Sequence, residues 1–244
     1  MVSVGICLVP FGVTYADLRE AALTVEEVRF ESVWTWDQMI SFNSDTETVL
    51  ECWSVLAALA EATSHVKLGS FVTNVMNRHP DVLAKVVSTA QQIAGGRIKL
   101  GIGAGDTPKD QLAFGRPFPS GQERVKRVGE AVEVMRLLWS GKSINYDGRY
   151  YKVRDGYCVP PPDPIPPVMV AGHGPVSARN AARVGDGWNY EGPWGRDDDE
   201  DSSKFRRLKR IVLNELGRLG RPREAFEISV SEEFDEGFRH DPLR

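Results

Sequence analysis

Apolar and polar positions along the chain fall into a repeated block: a short, nearly continuous apolar run, then a longer stretch whose apolar residues recur every three or four positions. The first spacing predicts a strand buried on both faces and the second an amphipathic helix. Val2 to Val9 is the first run, closed by Pro10 and Gly12. A helix follows from Thr14 or Tyr15 to about Val28, with Leu18, Ala21, Ala22, Val25 and Val28 at helical spacing. Ser32 to Trp36 is the second strand, ended by Asp37, and Glu47 to Ala62 is the second helix. Val66 to Val72 is the third strand. Pro80 sits where proline suits a first helical turn, and Val82 to Ala94 carries that helix to Gly95 and Gly96. Arg97 to Gly103 is the fourth strand, and Gly121 to Trp139 the fourth helix.

Between Lys142 and Pro167 the rhythm breaks. Ser143 to Val153 reads as a small hairpin around Asp147-Gly148, and the proline-rich run from Pro160 to Pro167 keeps the next stretch extended. Residues 142–167 therefore form an insertion. Val168 to Ala171 resumes as the fifth strand, Gly172-His173-Gly174-Pro175 leads into a helix through about Val184, and Asp186 to Tyr190 makes a short sixth strand. The acidic run Asp197 to Asp201, followed by Lys204, Arg206, Arg207, Lys209 and Arg210, complements a helix dipole and predicts an amphipathic surface helix reaching Leu219. Phe226 to Val230 is a seventh strand. Strand-then-helix repetition with near-continuously apolar strands predicts a parallel sheet covered by helices, folded as a single domain over residues 1–244.

Composition narrows the class without naming it. Hydrophobic content of 41% and charged content of 26% are those of an ordinary globular protein, and a net charge of −4 gives no general attraction to nucleic acid or anionic membrane. Cys7, Cys52 and Cys158 are scattered without CxxC spacing, and the four histidines form no ligand cluster with them, so neither a disulfide framework nor a metal site is expected. No apolar run approaches a membrane span and the start lacks the basic residues of a signal peptide, so the expected location is cytoplasmic.

The candidate chemistry clusters at strand ends. In RIKLGIGAGD, from Arg97 to Asp106, a buried strand runs into Gly101, Gly103 and Gly105, which leave main chain bare for a ligand or for a tight turn. A doubly wound dinucleotide fold would put GxGxxG after the first strand, where this chain has only Gly12. A (β/α)8 TIM-type barrel instead places functional residues at the C-terminal ends of several strands. Asp37-Gln38, Thr73-Asn74, Gly105-Asp106, Gly172-His173-Gly174 and Asn189 all fall there, and the α/β barrel is the expected architecture. Trp34, Trp53 and Trp139 read as core, Trp36 is open to a role at the mouth, and Arg124 and Glu130 read as anchoring contacts.

The strings ESVWTWDQ, LGSFVTNVMNRHPDVLAK, GGRIKLGIGAGD, FGRPFPSGQER and PPVMVAGHGPVSARNAARVGDGWN, in that order, resemble the bacterial luciferase-like superfamily, especially its coenzyme F420-dependent oxidoreductases. The resemblance runs from Val2 to about Trp188 and implies the same barrel with an insertion after the fourth strand region. It implies that Asp37 lies by the deazaflavin and that Gln38 stands where the sugar-phosphate dehydrogenase branch has a catalytic histidine. Glutamine cannot exchange a proton near neutral pH, so Gln38 is left to orient a substrate oxygen. Asp106 matches an acidic proton-transfer residue one methylene longer; its bland alternative is a helix cap. Thr73 matches a cofactor contact, Gly105 is expected to bind the cofactor through its bare main chain, Phe71-Val72 matches a pair that often carries a non-proline cis peptide, and His173, Gly174, Val176 and Ser177 match the stretch whose amides hold the cofactor's phosphate-bearing tail. Lys109 replaces a cofactor-binding asparagine.

The function this implies is hydride transfer between coenzyme F420 and a small organic substrate, with Asp106 managing the proton. Two alternatives stand beside it: an FMN-dependent luciferase-like monooxygenase supplied by a flavin reductase, and a non-catalytic flavin- or deazaflavin-binding paralogue, suggested by Gln38. Homo-oligomerisation is expected. After Val230 only fourteen residues follow, too few for another helix and an eighth strand-helix unit, so a last unit is expected to be missing.

Overall fold

The computed structural model describes residues 3–192 and 199–231. The chain divides into two compact units after Val168.

In the first unit the strands are β1 (Gly5–Leu8), β2 (Ser32–Thr35), β3 (Lys67–Ser70), β4 (Thr73–Asn74) and β5 (Ile98–Gly103). They pair in parallel in the order β1-β2-β3-β5, with β4 also on β5. Helices α1 (Tyr15–Glu27), α2 (Cys52–Ala62) and α3 (Pro80–Ile93) make the crossovers, and α4 (Lys109–Leu112) and α5 (Gly121–Leu138) follow β5. The predicted alternation of strand and helix is observed, with β4 and α4 added to it. Leu68, Ile98, Leu100 and Ile102 on the sheet and Leu56, Leu59, Leu83, Val87 and Met135 on the helices are closed to solvent, which is the source of the apolar runs.

Polar groups set the element ends. Thr14 caps α1 in a reciprocal capping box with Asp17. The Glu26 carboxylate at the end of α1 accepts from the N–H groups of Ser64, His65 and Val66, fixing the turn into β3. Arg97, just before β5, donates to the carbonyls of Ala60, Thr63 and Val66 and so covers the C-terminal carbonyls of α2.

Several expectations are corrected. Helix α2 begins at Cys52, not Glu47, because the Glu51 carboxylate caps it by accepting from Trp53 and Ser54 N–H, while Val49 bridges back to Phe11. The third strand stops at Ser70; the Phe71–Val72 peptide is cis and the chain resumes as β4. Helix α4 was not anticipated, since four residues give no periodicity to read. The insertion forms the antiparallel pair β6 (Ile144–Asp147) and β7 (Lys152–Gly156), which runs three residues past the Val153 end expected.

The second unit holds β8 (Val168–Ala171), α6 (Pro175–Val184), β9 (Gly187–Glu191), α7 (Asp199–Arg218) and β10 (Glu227–Ser231), the strands parallel in the order β8-β9-β10. Trp188, Tyr190, Leu208, Val212 and Leu216 are buried here, and Trp188 stacks on Phe205 at 5.7 Å. Asp197 and Asp198 of the acidic run, and the segment after Ser231 on which the missing-unit expectation rests, lie outside the described residues. No described helix is long and apolar enough to cross a membrane.

Candidate active site

Asp37 lies two residues past the end of β2 and is 4% exposed. A carboxylate so deep needs partners, and three residues donate four hydrogen bonds to it. Arg78 Nη1 donates to Oδ2 at 2.8 Å and Nη2 to Oδ1 at 2.9 Å, a two-pronged pair. Asn74 N–H and Asn77 Nδ2 donate to Oδ2 at 3.0 and 3.2 Å. Arg78 also pairs with Glu51. Burial pushes the Asp37 carboxyl above its usual range, with the guanidinium pulling against it. For Arg78, burial works against the charge, but Asp37 and Glu51 overcome it and keep the guanidinium firmly protonated.

Thr73 is also fully buried. Its hydroxyl donates to Ser70 Oγ at 2.8 Å and accepts from Trp53 Nε1 at 3.1 Å, while Ser70 Oγ donates to Gly101 O. Both Asp37 and Thr73 thus have their side chains engaged inside the first unit. Gly105 is joined to them through Asn74: it sits at φ +70°, and a Cβ there would overlap the Asn74 amide.

Gln38 differs from its neighbour. It is half-buried, and its side chain has no hydrogen-bond partner among the described residues. The main chain on either side of it is pinned. Asn77 Nδ2 donates to Asp37 O at 2.9 Å, and the carboxylate of Asp110 accepts from Met39 N–H and Ile40 N–H, each at 3.2 Å. Asp110 is closed to solvent; burial raises its carboxyl above the ordinary value, opposed by those two N–H donors.

Asp106 is exposed and accepts from the Thr107 hydroxyl at 3.0 Å. It does not cap α4, whose N-cap is Pro108, so the helix-cap alternative is set aside. Arg124, over the Phe118 ring, donates to Ala104 O and Gly105 O and so anchors the loop that carries Asp106. Lys109 pairs with Asp45. Phe11, Trp36 and Phe42 form a three-ring cluster beside Asp37, with Phe42 58% exposed. Trp53 and Trp139 are core, and Trp34 is half-buried.

In the second unit Gly172, at φ +149°, closes β8, and α6 begins at Pro175. Ser177 Oγ accepts from Gly174 N–H at 3.1 Å and donates to Gly174 O, so its side chain serves its own helix. The N–H groups of Val176 and Ser177 lie in the first turn, ahead of any intrahelical acceptor, and suit an anion. His173 is exposed.

The structure thus gathers Asp37, Thr73 and Gly105 around the Thr73-Asn74 strand, leaves the Gln38 and Asp106 side chains outside that hydrogen-bond network, and keeps His173, Gly174, Val176 and Ser177 on one turn of the other unit. Sequence reasoning missed Arg78, Asn77 and Asp110. The arginine of NRHP and the aspartate of TPKD carry no motif of their own, and their partners lie 41 and 70 or 71 residues away.

The family model for luciferase-like monooxygenases matches residues 4–230. The F420-dependent glucose-6-phosphate dehydrogenase of Amycolatopsis mediterranei is 33% identical over 173 residues, 70% of this chain and 52% of the relative. The protein of the same name from Intrasporangium calvum is 34% identical over 229 residues, 91% of this chain and 67% of the relative. Among solved structures, an F420-dependent secondary alcohol dehydrogenase in complex with an F420-acetone adduct superposes with a TM-score of 0.79 at 26% identity, covering 93% of this chain and 68% of that one. The chain spans about half the length of the curated relatives first matched. With an α/β fold of parallel strands and crossover helices, the chain belongs to the luciferase-like monooxygenase family.

Proposed function

We propose that the chain is the core of a coenzyme F420-dependent oxidoreductase that moves hydride between the deazaflavin and a small organic substrate. The observation that carries this reading is 34% identity over 91% of the chain to a relative named as an F420-dependent dehydrogenase. That match falls on a site whose uncommitted side chains are Gln38 and Asp106. Fit to the cofactor is supported by the open N–H groups of the α6 first turn, while Gly105 lets its loop close against the Asn74 amide.

When bound, the deazaflavin supplies a ring carbon that accepts or gives hydride. The remaining work falls to the chain. Asp37, held by Arg78, fixes the backbone N–H of Asn74 and the side-chain amide of Asn77 and so the floor beside Gly105. Gln38 donates a hydrogen bond to the substrate oxygen or accepts one from it, without changing protonation. Asp106 takes the hydroxyl proton as an alcohol is oxidised, or returns it to the carbonyl oxygen in the reverse direction; such a group contributes about 10²- to 10⁴-fold. The Phe11–Trp36–Phe42 cluster excludes water from one side. The cytoplasm as location, a homo-oligomer as assembly and a single domain as organisation are parts of the same proposal.

The test is a fluorescence titration with oxidised F420 and, separately, FMN, followed by a turnover screen with glucose 6-phosphate and secondary alcohols, the substrates that relatives' names indicate. Micromolar F420 binding with much weaker FMN binding supports the proposal. Preference for FMN moves the assignment to the monooxygenase alternative, and F420 binding without turnover moves it to the binding paralogue.

A further inference from the structure

The connection after β5 reaches back across two neighbouring loops. Helix α4 has only four residues, and its N-cap Pro108 offers it no side-chain cap. Such a helix is held by its contacts, and those of Gln111 and Asp110 end on loops of the candidate site. Gln111 Nε2 donates to Asn77 Oδ1 at 2.7 Å, and Asn77 in turn holds Asp37. Arg116 Nη2 donates to Asp110 O at 2.8 Å, bracing the helix from beyond its end. Asp110 is wholly buried, with Oδ2 on Met39 N–H and Oδ1 on Ile40 N–H.

A buried carboxylate is an expensive way to hold a loop. It carries a desolvation cost of several kcal/mol that a neutral acceptor would largely avoid. What it does that a serine or an asparagine cannot is accept on both oxygens at once, so that two successive N–H groups are fixed in direction as well as position. Those two N–H groups follow directly on Gln38, whose own side chain has no partner to hold it. The orientation of Gln38 is therefore set by its backbone, fixed at Asp37 on one side and at Met39-Ile40 on the other.

We propose that Asp110 is a positioning residue that aims Gln38 at the reacting oxygen by clamping the main chain immediately after it. The positional half of this stands on the geometry alone, and the catalytic half rests on the function proposed above. A displacement of about 1 Å at a reacting group costs on the order of 100-fold in rate, so losing one of the two clamping bonds should be read as a kcat effect.

The experiment uses the full chain and compares the native protein with Asp110→Asn, Gln38→Ala and the double variant. Hydrogen exchange of the peptide containing Met39 and Ile40 reports the clamp without cofactor or substrate. In the native protein these two amides are expected to be protected. In Asp110→Asn their exchange should rise about tenfold while the strand amides of β2 and β5 hold. F420 affinity, followed by fluorescence, and KM should stay within about twofold, while kcat falls about 10- to 100-fold. In the Gln38→Ala background the same Asp110 substitution should produce no further loss, because its effect passes through Gln38.

Unprotected Met39 and Ile40 amides in the native protein would overturn the proposal, whether or not the variants fold. So would multiplicative losses in the double variant, which would mean that Asp110 supports the fold in general. If Asp110→Asn does not fold, Arg116→Gln, which leaves the Asp110 carboxylate in place and removes the donor to its carbonyl, should raise the same two exchange rates by a smaller factor; unchanged rates there count against the clamp. Absence of F420 binding or turnover in the native chain removes the proposed function and the catalytic half together, and leaves the exchange result to decide the positional half.

Discussion

Replacing Arg78 with methionine isolates the interaction on which the floor of the site depends. Methionine keeps much of the apolar stem and removes the guanidinium, leaving the Asp37 carboxylate, whose side chain is 1% exposed, with Asn74 N–H and Asn77 Nδ2 alone. Two charge-assisted hydrogen bonds disappear, each worth about 1.5–3 kcal/mol. Breaking one side of a buried ion pair costs about 3–5 kcal/mol, which agrees with that sum. With a urea m-value of about 3 kcal/mol/M, the midpoint should fall by roughly 1–1.7 M. The loss should also depend on pH in a defined direction. Burial already holds the Asp37 carboxyl above its ordinary 3.8, and removing Arg78 deletes the largest opposing influence, so the folded-state value rises further. The folded variant then holds a proton that the unfolded chain releases, so stability is retained at low pH and lost as pH rises through the window between the two values. The deficit should therefore be larger at pH 8 than at pH 5. Arg78→Met with Asp37→Asn removes both charges and should bring the deficit back to about 1 kcal/mol. A single-variant deficit under about 1 kcal/mol, a larger deficit at pH 5, or a double variant no better than the single would refute the reasoning.

Three further outcomes are expected. Gly105→Ala places a side chain at φ +70° against the Asn74 amide; the backbone conformation alone costs about 1–2 kcal/mol, which should lower Tm by roughly 2–8 °C and weaken F420 binding, and an unchanged Tm would show that the turn relaxes freely. Burial tends to raise the Glu26 carboxyl, but the His65, Val66 and Ser64 N–H groups outweigh it and hold it below its ordinary 4.5, so its contribution is present above that pH and lost as pH falls. Glu26→Gln should accordingly flatten the decline of Tm between pH 6 and pH 3, and a parallel decline in both proteins would assign the acid sensitivity elsewhere. Asp106→Asn should reduce kcat about 10²- to 10⁴-fold with F420 affinity within about threefold, whereas a loss of less than threefold would remove Asp106 as the proton-transfer group.

How far the sequence could be read depends on the range of the interaction involved. Strands β2, β5, β8 and β9 and helices α1, α3, α5 and α6 follow from periodicity and from caps such as Thr14, Pro80 and Pro175, all of which act within a turn or two. The start of α2 was missed because a glutamate cap looks like any helical glutamate until the Phe11–Val49 bridge takes the residues before it. Asp37, Thr73 and Ser177 were recognisable as residues of the site, yet only their partners say what each side chain does: Asp37 answers to Arg78, Thr73 to Trp53 and Ser70, and Ser177 to Gly174. Pattern cannot supply partners that lie 41 or 20 residues away. This sorts the site by a physical criterion. A buried polar side chain whose donors and acceptors are all matched inside the protein has nothing left to give a ligand, and its contribution is to hold main chain in place. A side chain at the same strand ends that stays unmatched, as Gln38 does, or meets only a neighbouring hydroxyl, as Asp106 does, is free to meet one. On that criterion, the proposed site assigns ligand contact through side chains in the first unit to Gln38 and Asp106, while Asp37 holds the Asn74 backbone and Thr73 ties Trp53 to Ser70. Substitution at the first pair should then alter turnover at constant Tm, and substitution at the second should alter Tm first.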